Sequence, residues 1–142
     1  MNTKKVTLGF LTLSLIGFAG GYLLTNSYDL GFCYSDFETN TFDVSCHEFF
    51  ERVGNPLFYG MPALALVFLL LLFVPRAFPV WKKFAIWFIP LAMLLFVAYP
   101  EPGSGDYFSP YPEQVFQWVS AGYVFISLII IAFAVRGRRS LS

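Results

Sequence analysis

Four uncharged apolar runs leave this chain few ways to fold: Val6–Leu24, Leu57–Val74, Phe84–Tyr99 and Val115–Val135. A helix needs about 20 apolar residues to cross a bilayer, within a range of roughly 17–25. The third run reaches that length only if it extends back to Val80, with Lys82 and Lys83 turning their ammonium groups toward the interface. Composition agrees, since 57% of the residues are hydrophobic and only 13% charged. Soluble domains carry about 25% charged residues, and a water-soluble fold this small could not hide so much apolar surface. The expected fold is an all-α membrane protein, a single four-helix transmembrane bundle over residues 1–142. Its spans are about 6–24, 57–74, 80–99 and 115–135, and its outer loops 25–56 and 100–114.

The charges are sorted along the chain. All nine acidic residues lie between Asp29 and Glu51 or between Glu101 and Glu113. Eight of the nine basic residues lie elsewhere: Lys4 and Lys5 before the first span, Arg76, Lys82 and Lys83 between the second and third, and Arg136, Arg138 and Arg139 after the fourth. Lys and Arg flanking spans stay cytoplasmic, so both termini are expected inside and both acidic loops outside. Trp81, Trp87, Trp118, Tyr22, Tyr59 and Tyr99 fall near span ends, as an interfacial aromatic belt would. The first run also has features of a signal peptide, with a basic start and small Gly17 and Ala19 at cleavage spacing, but its length suits a retained span. The short loops and the absence of an Asn-x-Ser/Thr sequon point to a bacterial inner membrane.

The first outer loop holds the only two cysteines, Cys33 and Cys46. On an oxidising side they are expected to form a disulfide that staples a loop too small for its own core. Catalytic redox pairs are usually Cys-x-x-Cys, which this pair is not. A short extracytoplasmic helix is expected next, with Ser45 and Glu48 as a capping box, Glu48 and Arg52 paired four apart, and Gly54-Asn55-Pro56 as the stop. His47, the only histidine, lies near Cys46, Glu48 and Glu51. A metal site needs three or four converging ligands, and Cys46 is committed elsewhere, so His47 is expected to be a solvated helix residue and no metal or cofactor is expected.

Apart from Lys82 and Lys83 at the start of the third, the spans contain no Asp, Glu, Lys, Arg or His, which argues against proton relays, ion pathways and voltage sensors. Pro62 and Pro90 are expected to kink their helices without ending them. Gly17-x-x-x-Gly21 suits close helix approach, within the bundle or between copies of the chain in a homo-oligomer. Ser120, Tyr123 and Ser127 share one face of the fourth span and are expected to bond other helices.

No phosphate loop, nucleophile elbow or zinc-protease helix is present, and the few juxtamembrane bases do not suit nucleic acid. The layout resembles in part the quinone-linked disulfide-forming membrane enzymes, but those need a Cys-x-x-Cys pair and a shuttle pair, where this chain has only Cys33 and Cys46. It also resembles claudin-like tetraspan proteins, yet Gly31-Phe32-Cys33 stands where their Gly-Leu-Trp signature would be. Three functions remain in view. The first is a non-enzymatic protein that offers its stapled outer loop to a membrane or extracytoplasmic partner; the second is small-molecule or lipid handling between kinked helices; the third is thiol redox chemistry. The expected interaction surface is aromatic: Tyr107, Phe108 and Tyr111 in one loop, Phe49 and Phe50 in the other.

Overall fold

The structure is a computed structural model that describes residues 3–36, 41–99 and 110–136. Among the described residues, four helices are long and apolar enough to cross a membrane, which makes the chain an integral membrane protein. They are α1 (Thr3–Thr25), α2 (Val44–Phe73), α3 (Phe78–Ala98) and α4 (Pro112–Arg136). A 3-10 turn, Pro75–Ala77, links α2 to α3, and two short antiparallel strands, β1 (Ser35–Asp36) and β2 (Thr41–Phe42), precede α2. Lys82 and Lys83 lie within α3 and are exposed, so the third span gains its full length through them.

α1 and α2 pack antiparallel through small residues and stacked rings. Phe10 stacks on Phe68 at 5.4 Å and Phe18 on Phe58 at 5.3 Å. On either side of the Phe18–Phe58 pair the helices come close. A Cβ on Gly21 would lie 2.5 Å from the Phe58 backbone nitrogen, and one on Gly17 would lie 2.9 Å from Met61 Cγ. Without side chains at these two positions, the helices approach and recover dispersion contact, the main attraction available between helices in lipid.

The expected short loop helix is not a separate element. Residues 44–55 are helical, but they form the first turns of α2, which runs unbroken through Pro56 and Pro62 to Phe73. Gly54, expected as a stop, has a packing role instead: its missing Cβ admits Leu24 Cβ and the Thr25 backbone, which would lie 2.9 and 3.0 Å away. The helix start also differs. Asp43 is the N-cap, its carboxylate accepting from the Cys46 N–H, and the Ser45 hydroxyl donates to the same carboxylate. At 30 residues α2 is about 45 Å long, longer than a hydrocarbon core of about 30 Å.

α2 and α3 do not form the close hairpin that their short link suggests. They diverge from it, and each packs instead on α4. The core lies toward the basic end, where Val67, Phe68 and Leu71 of α2 meet Trp81 and Tyr123. Trp81 therefore is not a belt residue: it is 3% exposed, and its indole Nε1 donates to Ser127 Oγ at 3.2 Å. Trp87 and Trp118 are exposed.

Candidate functional site

The segment between α1 and α2 is held as a cap. Cys33 and Cys46 are joined, with an S–S distance of 2.01 Å and Cα atoms 5.8 Å apart, and Cys33 is 3% exposed. Gly31 turns the chain with φ of 71°, a conformation that suits glycine. The Ser27 carbonyl accepts from the N–H groups of Phe32 and Cys33. His47 corrects the expectation of a solvated residue. Its Nδ1 lies 2.7 Å from Ser27 Oγ, its ring stacks on Tyr28 at 4.3 Å, and its Nε2 lies 3.7 Å from Glu51 Oε2. Ser27 is fully buried, so His47 ties the turn after α1 onto α2. Among the described residues, no three potential metal ligands converge.

Of the expected aromatic surface, Tyr107 and Phe108 lie outside the described residues. Phe49 and Tyr111 are exposed, while Phe50 is half-buried and stacks on Phe32 at 6.0 Å. The Asp43 carboxyl is held below its ordinary range, chiefly by the Cys46 N–H and then by the Ser45 hydroxyl.

Two cavities lie one above the other beside this cap. The upper, about 590 Å³, is a polar cup where the first turns of α2, the end of α3 and the start of α4 converge. Glu48, Glu51, Arg52 and Glu113 line it, with Tyr99 and Phe96. The lower, about 230 Å³, is an apolar slot that opens where α2 and α3 diverge and is closed behind by α4. Gly60, Phe88 and Ala92 line its sides, with Ser120 and Tyr123 on the α4 wall. Phe96 lines both cavities and packs edge-on against Phe116 of the cup at 4.6 Å, so the two cavities adjoin at the Phe96 ring.

The Ser120 hydroxyl oxygen is buried with no hydrogen-bond partner among the described residues, while the buried Tyr123 hydroxyl lies beside Ser127 and Trp81. Ser127, on the same face, has its partner in Trp81. The expectation that all three would bond other helices is therefore not met at Ser120, which lines the slot where α2 and α3 stand apart. Gly17 and Gly21 lie in the α1–α2 contact and line neither cavity. The sequence suggested a cavity between helices kinked at Pro62 and Pro90, but the slot is apolar and neither proline lines it. Its only signal was a small residue on each side, Gly60 and Ala92, which becomes informative once the helix faces are known.

Comparison with protein-family models, with characterised proteins and with solved structures finds no match for this chain. Its function must be argued from the geometry of the cup and slot.

Proposed function

We propose that this chain is a non-enzymatic membrane protein that holds an amphiphilic lipid, with the polar end in the cup and an apolar chain in the slot. The observation that carries the reading is Phe96, which lines both cavities, so that a charged cup and an apolar slot adjoin. Ligand sites are mostly apolar clefts with a few placed polar groups, and this site divides those two characters between its ends. Both termini are cytoplasmic in this reading and the cup faces outward, supported by the basic residues at the other end of the bundle. A bacterial inner membrane suits this arrangement. The disulfide acts as a staple that holds the cap and the first turns of α2, and the burial of Cys33 supports that role over thiol exchange.

To test the reading, the full chain is extracted in mild detergent and its retained lipids are measured by native mass spectrometry. Wild-type protein is expected to retain about one lipid per chain. Ala92→Trp fills the slot and is expected to abolish retention without loss of the folded bundle. Equal retention by the variant would overturn the reading. A second reading, docking of a protein partner on the cap, is favoured by the exposed Tyr34, Phe49 and Tyr111. Loss of a co-purifying protein after Phe49→Ser and Tyr111→Ser together, with lipid retention intact, would favour it.

A further inference from the structure

Resting on that reading, we infer that Gly17 sets the width of the slot at second hand, by giving the Met61 side chain a place to lie outside it. Among the described residues, none of α1 lines the slot. Met61 of α2 does line it, and the same side chain also lies along Gly17. A Cβ added at Gly17 would come 2.9 Å from Met61 Cγ and 3.0 Å from both Sδ and Cε. Those three atoms are all of the side chain beyond its own Cβ. Met61 is therefore laid over the glycine along its length, with α1 behind it and the slot beside it.

Methionine is unbranched and turns about three bonds, so it settles wherever contact is best. Bare backbone at Gly17 offers that contact on the α1 side, while the slot offers about 230 Å³ of space on the other. A methyl group at residue 17 reverses the preference. Carbon atoms attract best at about 3.5–4.0 Å, so contacts of 2.9 and 3.0 Å cannot be kept. The side chain then turns from α1 into the open space that it borders, and the slot narrows. Gly21, one turn further along α1, does not act this way. A Cβ there meets the backbone of Leu57 and Phe58, which has no rotamer to change, and neither its clash nor its relief passes through Met61. Gly17 is thus a positioning residue for the slot, and Met61 is the wall that it positions. The width of that wall selects acyl chains by cross-section, so methyl-branched chains meet Met61 where straight ones pass.

The experiment places the full-length protein in nanodiscs of equal parts dioleoyl and diphytanoyl phosphatidylcholine, which share a headgroup and differ in chain branching. After mild extraction, native mass spectrometry counts the lipid retained, and thermal unfolding is followed alongside. Gly17→Ala is expected to lower total retention about fivefold. Adding Met61→Ala to Gly17→Ala removes the displaced side chain and is expected to restore retention to within about twofold of wild type. A purely structural loss at Gly17 would not be rescued by a second truncation in the same contact. Gly20→Ala, where nothing lies within 4 Å, should retain lipid as wild type does. Met61→Ala alone, with α1 unaltered, is expected to raise the ratio of phytanoyl to oleoyl lipid about fivefold, which tests the wall even if Gly17→Ala fails to fold. Wild-type retention by Gly17→Ala, a double variant as poor as Gly17→Ala, or an unchanged chain ratio in Met61→Ala would each overturn the inference. Ala92→Trp separates these failures from failure of the site itself: if that variant still retains lipid, the slot is not where the chain binds.

Discussion

Trp81 and Ser127 are joined by a hydrogen bond between α3 and α4, 3.2 Å long and shielded from water on every side. It is the polar contact that fixes how these two helices meet, just where α3 begins to diverge from α2. Ser127→Ala leaves the indole N–H without an acceptor in the apolar core. The expected loss is about 1 kcal/mol, given that interhelical hydrogen bonds in membranes average about 0.6 and reach about 1.7 kcal/mol. Steric trapping or thermal unfolding in detergent measures it. Trp81→Phe together with Ser127→Ala removes both partners and is expected to cost less than the sum of the two single changes.

Gly21 is expected to be the least replaceable position in α1. An added Cβ would meet the Phe58 backbone nitrogen and the Leu57 carbonyl carbon, at 2.5 and 2.9 Å, and backbone cannot turn aside as a side chain can. Gly21→Ala should therefore push α1 off α2 and destabilise by roughly 1–3 kcal/mol, the usual range for overpacking. Gly17→Ala meets the flexible end of Met61 instead and should cost less. Gly20→Ala, where nothing lies within 4 Å, serves as the neutral control. Thermal stability of the three variants in one detergent decides the ranking, and equal effects at Gly20 and Gly21 would count against the packing.

The spans were legible in the sequence because one property, continuous apolarity over a bilayer's thickness, decides them. The disulfide was legible because no other cysteine competes for either partner. Three features were not. Gly54-Asn55-Pro56 has the chemistry of a helix stop, yet α1 passing beside Gly54 gives the glycine a different reason to be there. Trp81 has the sequence position of a belt residue, yet the divergence of α2 and α3 lets it point inward to Ser127. The cup joins Glu51 of α2 and Glu113 of α4, far apart in sequence. Such a meeting depends on how far each helix extends beyond the membrane, which hydropathy does not encode.

Reduction of the Cys33–Cys46 bond is expected to loosen the cap and leave the spans inserted. The bond closes a loop with a sequence separation of 13. By chain entropy, a loop of about 15 residues gives roughly 3 kcal/mol. Cys46→Ser should raise protease cleavage between α1 and α2, while membrane insertion, set by hydrophobicity, stays unchanged. Native protein should resist a thiol-alkylating reagent until reduced. Efficient labelling of both cysteines in untreated membranes would contradict the bond and reopen the redox hypothesis.

The start of α2 is expected to weaken in acid because of Asp43. Its carboxylate accepts from the Cys46 N–H at 3.1 Å and from the Ser45 hydroxyl at 2.8 Å, and these bonds lower its folded value below the ordinary 3.8. A lowered folded value means the stabilisation is complete above the unfolded value and is lost as pH falls through the folded one. The effect therefore belongs to the range below about pH 4 and is absent near neutrality. Other acids titrate in the same range, so a wild-type pH curve alone does not isolate the cap. Asp43→Asn does, since asparagine caps a helix as well as aspartate but carries no titrating proton. The measurement is the melting temperature of both proteins in detergent from about pH 7 to about pH 3. Any advantage of the wild type over the asparagine variant should hold steady down to about pH 5 and shrink below it. A difference that stays constant across the whole range would show that the Asp43 charge does not hold the cap, and that Ser45 or the disulfide alone sets where α2 begins.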